Sequence, residues 1–188
     1  MNFDEIVQQT VDALRSGQTI LYPTDTIWGI GCDARRADAV ERLYSIKERD
    51  HTKSMLVLVR RSDVEGRSFP DAPDGRPTTY ILPEGMWRPL LGTSVANNLP
   101  AADGSLGIRV PQHPFCQEVM RRLGAPLVST SANLSGHPSP ATYADIENAL
   151  MARVDYCVPP LPAMLSHESR GSRIVKLDAD GRQTIIRP

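Results

Sequence analysis

Apolar positions along this chain follow two periods that alternate from one end to the other. Near the N-terminus they recur at helical spacing and are followed by a glycine suited to ending a helix, at Phe3, Ile6, Val7, Val11, Leu14 and Gly17. Helical spacing returns in three later segments, 38–47, 115–123 before Gly124, and 143–152. In the first of these, Asp38 and Glu41 are spaced as in a capping box, so the pattern predicts a helix that begins at Asp38.

Short apolar runs lie between the helical segments, and their length and flanking turn residues are typical of buried strands. They cover 20–22, 55–59, 78–82, 106–110, 126–130 and 155–158. Residues 173–177 and 183–187 flank an Asp-Ala-Asp-Gly turn, which predicts a β-hairpin. Segment 60–76 indicates a surface loop, and 83–100 an irregular flap with exposed apolar residues, including Trp87. The alternation predicts an α/β (α+β) fold with a mixed sheet.

Composition narrows the class of protein. With 188 residues, 40% of them hydrophobic, the chain can bury one large core, and we expect a single domain over residues 1–188. The net charge of −1 argues against bulk electrostatic coating of nucleic acid. The three cysteines form no CxxC pair, and the first helix has no basic leader region. No apolar run approaches the ~20 residues that span a bilayer. We therefore expect a soluble, cytoplasmic protein.

Three cations, Lys47, Arg49 and Lys53, lie where the second helix runs out into a loop before a core strand. Cations held at such a loop can form an anion site. Cations near a helix C-terminus also complement the helix dipole, and neighbouring acids partly cancel them. From this segment alone, a solvated helix end remains an alternative to an anion site.

Hydroxyl and amide side chains follow two of the predicted strands. Residues 129–133 read Ser-Thr-Ser-Ala-Asn, and Thr24, Asp25 and Thr26 hold the equivalent place after the first strand. These groups can bind phosphate or carboxylate oxygens, or they can cap their own loops. Arg109 lies inside an apolar strand, so it requires an anionic partner, either a structural Asp or a substrate carboxylate. There is no phosphate-binding GxxxxGK[ST] loop, no GxGxxG, and no metal-ligand spacing among the histidines.

In combination, four segments resemble the YrdC/TsaC family of threonylcarbamoyl-AMP synthases. They are YPTDTIWGIGCDA at 22–34, the KxR of Lys47 and Arg49 together with the SxN of Ser131 and Asn133, LGIRVP at 106–111, and STSANLSG at 129–136. Each is weak by itself, but four in order across ~110 residues are specific. The resemblance covers nearly the whole chain and favours the anion site over the solvated helix end. It implies a YrdC-like three-layer fold, a twisted mixed sheet flanked by helices around a central cleft.

The resemblance also implies the reaction and the site. L-threonine, bicarbonate or CO2, and ATP would give threonylcarbamoyl-AMP and pyrophosphate, the first step in making N6-threonylcarbamoyladenosine in tRNA, and a threonylcarbamoyl transferase complex would use the product. Lys47 and Arg49 would be catalytic. The expected ATP contacts are Lys47, Arg49, Lys53, Ser105, Ser131, Asn133 and Arg187; the expected threonine contacts are Thr24, Arg109, Ser131 and Ser172. Mg²⁺ would be bound through the ATP phosphates, with no metal site on the protein.

A different class of function remains as the alternative, a non-catalytic RNA-binding module in tRNA or rRNA maturation. The low net charge and the absence of interleaved aromatic and basic residues count against it. For the synthase we expect at most weak RNA binding and no membrane association.

Overall fold

The computed structural model describes residues 1–48, 55–70, 72, 74–140, 142–160 and 170–188. The helices in this part of the chain are α1 (Phe3–Arg15), α2 (Ala37–Lys47), α3 (Arg61–Val64), α4 (Glu84–Leu91), α5 (Pro114–Leu123) and α6 (Asn148–Met151). The strands are β1 (Ile20–Tyr22), β2 (Gly29–Asp33), β3 (Leu56–Leu58), β4 (Thr78–Leu82), β5 (Leu106–Arg109), β6 (Leu127–Ser131), β7 (Tyr156–Cys157), β8 (Arg173–Leu177) and β9 (Gln183–Arg187). None of the described helices is long and apolar enough to cross a membrane.

All nine strands join one mixed sheet in the order β7-β1-β2-β6-β3-β5-β4-β8-β9. Strands β3 and β5 pair in parallel, as do β1 with β7 and β4 with β8, while the other neighbours are antiparallel. The predicted hairpin is confirmed as β8 and β9. The mixed directions that the alternating pattern predicted are also confirmed.

Helices cover both faces of the sheet, which gives the three layers that the resemblance implied. Val57 packs with α2 and α4 in one core cluster, whereas its neighbour Leu58 packs with α1 and α5 in the other. Successive strand residues point to opposite faces, so the two clusters lie on opposite sides of the sheet. The fold class predicted from the sequence is confirmed.

Two helix starts compare differently with the predictions. Helix α1 begins with a capping box in which Asn2 and Glu5 bond each other's backbone N–H. The predicted box at the start of α2 is wrong, because this helix begins at Ala37 with Arg36 as its N-cap. Asp38 is already inside the first turn, and its carboxylate accepts from the Arg36 guanidinium at 2.6 Å. An acid in the first turn complements the helix dipole without capping it.

The prediction of an irregular flap at 83–100 is wrong, because the first half of this segment forms helix α4. Trp87 and Leu91 are buried rather than exposed, and the Trp87 indole N–H donates to the Gly104 carbonyl at 2.9 Å. The sequence pattern does not predict this helix, because it contains Gly85 and Pro89 and both residue types are unfavourable inside a helix. Its stability therefore comes from packing onto the sheet.

Two further segments differ in detail from the predictions. The predicted helix at 143–152 is two short pieces, a 3₁₀ turn at Tyr143–Asp145 and helix α6. The predicted loop at 60–76 contains α3, whose start is held by the ion pair of Arg60 with Asp63.

Gly31 allows the three strands β1, β2 and β6 to approach closely. A Cβ atom at this position would lie 2.1 Å from the Val128 carbonyl oxygen and 2.9 Å from the Tyr22 ring. We expect Gly31→Ala to lower the free energy of unfolding by at least about 2 kcal/mol, because the backbone must shift to accept the methyl group. Urea unfolding measures this loss. Gly85→Ala is the matched control, since no atom lies within 4 Å of the place its methyl group would take, and its stability should be unchanged or slightly higher.

Asp155 ties the edge strand β7 to β1 and α2. Its carboxylate accepts from the Thr19 backbone N–H and hydroxyl and from the Arg42 guanidinium at 2.5 Å. Burial alone would raise the pKa of this carboxyl, but the hydrogen bonds from Arg42 and Thr19 prevail and lower the pKa to about 2. The native state therefore favours the ionised form more than the unfolded chain does.

The lowered pKa predicts a pH dependence of stability. The contribution of Asp155, roughly 1 to 2 kcal/mol for a partly exposed group, is present above the unfolded pKa of about 4 and is lost as the pH falls through about 2. We expect Asp155→Asn to be less stable than the natural protein at pH 6, and this difference to shrink toward pH 2. Urea unfolding across that range measures it, with exposed Asp180→Asn as the control. A difference that stays constant with pH would contradict the assignment.

Candidate active site

A cavity of about 300 Å³ opens on the sheet face that also carries α1 and α5. Its floor is a row of register partners on four adjacent strands, Ser129, Leu56, Gly107 and Ile81. The loop after β1 forms one wall, and residues around β8 and the end of β9 form another. The cavity thus lies where the two helices leave the centre of the sheet uncovered.

Arg109 points into this cavity, as the alternation of β5 predicts, because its neighbour Ile108 is in the opposite core. The side chain is buried, and one terminal nitrogen donates to the Thr26 hydroxyl at 2.9 Å. The other terminal nitrogen lies 3.5 Å from Asp25, and Nε has no hydrogen-bond partner in the part of the chain that is described. Asp25 is therefore the structural aspartate that the sequence analysis gave as one possible partner of Arg109. It leaves several N–H donors of the guanidinium without an acceptor among the described residues.

The loop after β1 is held by its own hydroxyl groups. The Thr24 hydroxyl donates to the Ile27 carbonyl at 2.7 Å and accepts from the Thr26 backbone N–H at 3.1 Å. The loop after β1 therefore caps itself, which is one of the two alternatives that the sequence left open. Both threonines nevertheless line the cavity, and Thr26 links the loop to Arg109.

Ser172 and Arg187 lie at the opposite wall. The Ser172 hydroxyl bonds the Thr79 hydroxyl at 2.8 Å, and the Ser172 carbonyl accepts from Arg187 Nε and Nη2 at 2.9 and 2.6 Å. Burial, and then the charge of Arg109, lower the pKa of the Arg187 guanidinium from its ordinary value. An arginine stays charged despite such a shift, so two mutually repelling cations border one cavity. That arrangement suits an anion.

Lys47 has a different place from the one predicted. It is the last residue of α2, and it is buried rather than on a loop or a solvated helix end. Its ammonium donates to the Ser131 carbonyl at 2.8 Å, to the Asn133 carbonyl, and to Asn133 Oδ1 at 3.3 Å. The Asn133 amide nitrogen in turn donates to the carbonyls of Leu134 and His137. Lys47 therefore holds the turn that follows β6.

The remaining expected site residues occupy different places. Ser131 lines the cavity, whereas Lys47 and Asn133 are not among the described residues that line it. Ser105 is not brought to the cavity, and its hydroxyl donates to Asp103 at 2.6 Å. Arg49 and Lys53 lie outside the described residues.

Comparison with known families extends this picture. The model of the Sua5/YciO/YrdC family, which carries the description "Telomere recombination", matches residues 12–188. The chain belongs to the Sua5/YciO/YrdC family. The family resemblance found in the sequence motifs is thereby confirmed.

Relatives within the Sua5/YciO/YrdC family include proteins with a named activity. The threonylcarbamoyl-AMP synthase of Xanthomonas oryzae pv. oryzae is 37% identical, over 87% of this chain and 90% of its own length. The threonylcarbamoyl-AMP synthase of Photobacterium profundum is 31% identical, over 77% of this chain and 80% of its own.

Two solved structures of the family share the fold. P. abyssi Sua5 complexed with L-threonine has a TM-score of 0.76 at 18% identity and is matched by 100% of this chain. This chain spans 55% of that protein's length. E. coli YciO has a TM-score of 0.70 at 25% identity, with 99% of this chain and 89% of that one covered.

Sequence reasoning missed several cavity residues. Thr79 lines the cavity from the interior of β4 and Ser139 from the segment after β6, whereas Ser129, which also lines it, belongs to the run at 129–133 that the sequence had already indicated. Thr79 carries a usable signal, because a hydroxyl inside a predicted core strand requires a partner, here Ser172. Ser129 stands out in the sequence only as part of its hydroxyl run. Ser139 has no such signal in its sequence context.

Proposed function

We propose that this protein is a threonylcarbamoyl-AMP synthase, which joins L-threonine, bicarbonate or CO2, and ATP to give threonylcarbamoyl-AMP and pyrophosphate. The named activity of its relatives supports this function. The observation that carries it is Arg109, a buried guanidinium in the cavity with only one of its donors hydrogen-bonded within the described residues. A carboxylate offers the two parallel acceptors that such a fork needs.

The threonine nitrogen adds to the carbon of CO2 as one C=O π bond breaks, and the nitrogen releases a proton; from bicarbonate, the same carbamate forms with loss of water. A carbamate oxygen then joins the α-phosphorus of ATP as the bond to pyrophosphate breaks. Neither step requires a covalent nucleophile on the protein. The hydroxyl-lined cavity with two cations at its border suits catalysis by positioning and by stabilisation of negative charge.

Each candidate residue has a role within this proposal. Arg109 binds the threonine carboxylate, and Thr24 on one wall of the cavity and Ser172 on the opposite wall are further threonine contacts. Arg187 and Ser131 contact the nucleotide, and the family motif adds Arg49 and Lys53 as phosphate contacts. Lys47 and Asn133 are positioning residues, since they act through the turn that carries Ser131.

Mg²⁺ fits this site as an ion that is bound through the phosphates of ATP rather than by protein side chains. Among the described residues, no group of three or more His, Cys, Asp or Glu side chains could hold a metal ion. Asp25, a carboxylate between the two cavity-lining threonines, already faces Arg109 and accepts from the Gln112 N–H. Mg²⁺ commonly binds substrate phosphates and water rather than a protein cage, and there it would offset phosphate charge.

The proposed cellular setting follows from the reaction. Residues 1–188 would act as a single cytoplasmic domain, in line with the one sheet that runs from Ile20 to Arg187. The product would pass to a threonylcarbamoyl transferase complex that acts on tRNA.

The experiment is a pyrophosphate-release assay in which L-threonine, bicarbonate and ATP are omitted one at a time. We expect release to require all three, and mass spectrometry to detect threonylcarbamoyl-AMP. Pyrophosphate release that does not depend on threonine would contradict the proposal.

Direct RNA binding is expected to be weak, which separates the synthase from the RNA-binding alternative. Most arginines in the described segments are engaged by carboxylates, such as Arg42 by Asp155 and Arg173 by Asp74. We expect tRNA binding, measured by filter retention, to fall steeply between about 50 and about 200 mM salt, as non-specific contacts do. Tight, salt-resistant binding would favour the RNA-binding module instead.

A further inference from the structure

A second cavity of about 300 Å³ opens beside the first and shares Gly171 and Arg187 with it. Its other lining residues are Arg76, Arg170 and Pro188. We call this cavity the arginine pocket. Three of its five described lining residues carry a guanidinium, and none of these five carries a carboxylate side chain, so cationic side chains dominate the described part of the pocket in a protein whose net charge is −1.

Within the described residues, no carboxylate side chain forms an ion pair with Arg76, Arg170 or Arg187. This differs from most described arginines, which have a carboxylate partner within 4 Å. The acid closest in sequence to Arg76 is Asp74, and both of its oxygens accept from Arg173, at 2.7 and 3.1 Å. Asp74 also accepts from the Arg76 backbone N–H at 3.3 Å, but its ion pair is with Arg173 and not with the Arg76 guanidinium.

Arg187 is held in a fixed orientation where the two cavities meet. Its Nε and Nη2 donate to the Ser172 carbonyl, while Nη1 donates to no acceptor among the described residues. A Cβ atom on residue 171 would lie 2.9 Å from Nη2, so Gly171 provides the room for this close approach. A pre-positioned guanidinium gives up little side-chain entropy when it binds an anion.

We infer that the arginine pocket binds a phosphate group of a small anion that reaches it through the main cavity. Several guanidinium forks around one concave surface match the oxygens and the charge of a phosphate. Because the two cavities share Gly171 and Arg187, the position of the arginine pocket favours a nucleotide's polyphosphate or the pyrophosphate released from it. The assignment of that source rests on the proposed function, whereas phosphate binding itself does not.

The test is calorimetric titration of inorganic pyrophosphate into the full chain. We expect the double variant Arg76→Ala with Arg170→Ala to bind pyrophosphate at least tenfold more weakly than the natural protein. Exposed Arg61→Ala is the matched control and should bind within twofold of it. Equal affinity in the natural protein and the double variant would overturn the inference, as would no pyrophosphate binding by the natural protein.

Further arms identify the source and separate the two proposals. Weaker binding of both pyrophosphate and ATP in the double variant supports the nucleotide source, while weaker binding of pyrophosphate and orthophosphate with unchanged ATP affinity supports free phosphate. Loss of binding to a short single-stranded RNA without any change for these anions would overturn the inference in favour of an RNA contact. Product formation by the natural protein is scored separately. If it fails while the double variant still loses pyrophosphate, the proposed function is wrong and the phosphate subsite stands.

Both substituted arginines lie at least partly at the surface, so the double variant should fold. Thermal unfolding checks this. The charge-conserving pair Arg76→Lys with Arg170→Lys is expected to recover part of the pyrophosphate affinity, since it keeps the charge and loses only the fork. No recovery together with a lowered unfolding temperature would attribute the loss to structure and overturn the inference.

Discussion

Replacing Lys47 with methionine is expected to lower the rate of threonylcarbamoyl-AMP formation at least a hundredfold, which corresponds to about 2.7 kcal/mol. The ammonium donates to the carbonyls of Ser131 and Asn133, and methionine fills similar space without any donor. The turn after β6 then loses the group that holds it, and Ser131 moves relative to the cavity. Displacement of a substrate contact by even about 1 Å can cost a hundredfold in rate.

The same substitution is expected to lower the free energy of unfolding by about 1 to 3 kcal/mol, because buried carbonyls lose their donor. Activity must therefore be measured where the variant is fully folded, as judged by urea unfolding. Lys176→Met is the control, since this exposed lysine pairs with Asp103 at 3.2 Å and is not among the described residues that line the cavity. It should change stability by less than about 0.5 kcal/mol and leave activity unchanged. A folded Lys47→Met protein with near-normal pyrophosphate release would contradict the positioning role.

Changes at Arg109 are expected to act on threonine rather than on ATP. We expect Arg109→Lys to raise the threonine concentration needed for half-maximal rate at least tenfold, about 1.4 kcal/mol, and Arg109→Ala to raise it at least a hundredfold. Lysine keeps the charge but cannot present two parallel donors to a carboxylate. It also loses the fork that reaches Thr26 and Asp25 together.

ATP binding measured without threonine should change little in Arg109→Lys, which separates the substrate assignment from a structural one. Arg182→Lys on the exposed hairpin is a control for the general effect of an arginine-to-lysine change. Equal losses of ATP and threonine binding would make Arg109 a structural or phosphate residue. The threonine end of the cavity would then have to lie elsewhere.

Local patterns in the sequence were sufficient to predict where most strands of the sheet lie. Strand β4 and the hairpin strands β8 and β9 have the predicted boundaries, and α5 ends before Gly124 as expected. These elements are specified by neighbours within a few residues, through hydrophobic period and turn chemistry. The same reasoning did not predict helix α4. Its glycine and proline disfavour a helix locally, and the residues that bury it come from distant parts of the chain.

In the candidate site, too, some features follow from the local sequence and others only from the tertiary structure. The sequence by itself determined that Arg109 would face away from Ile108, because strand alternation is a local property, and it indicated Ser131, Ser172 and Arg187 through family motifs. Only the tertiary structure decided that Lys47 is buried against residues more than 80 positions away, and that Arg76 and Arg170 line one pocket with Arg187. Such encounters depend on which strands become neighbours in the sheet. No pattern within a short segment encodes the distance between residues that are remote in the chain.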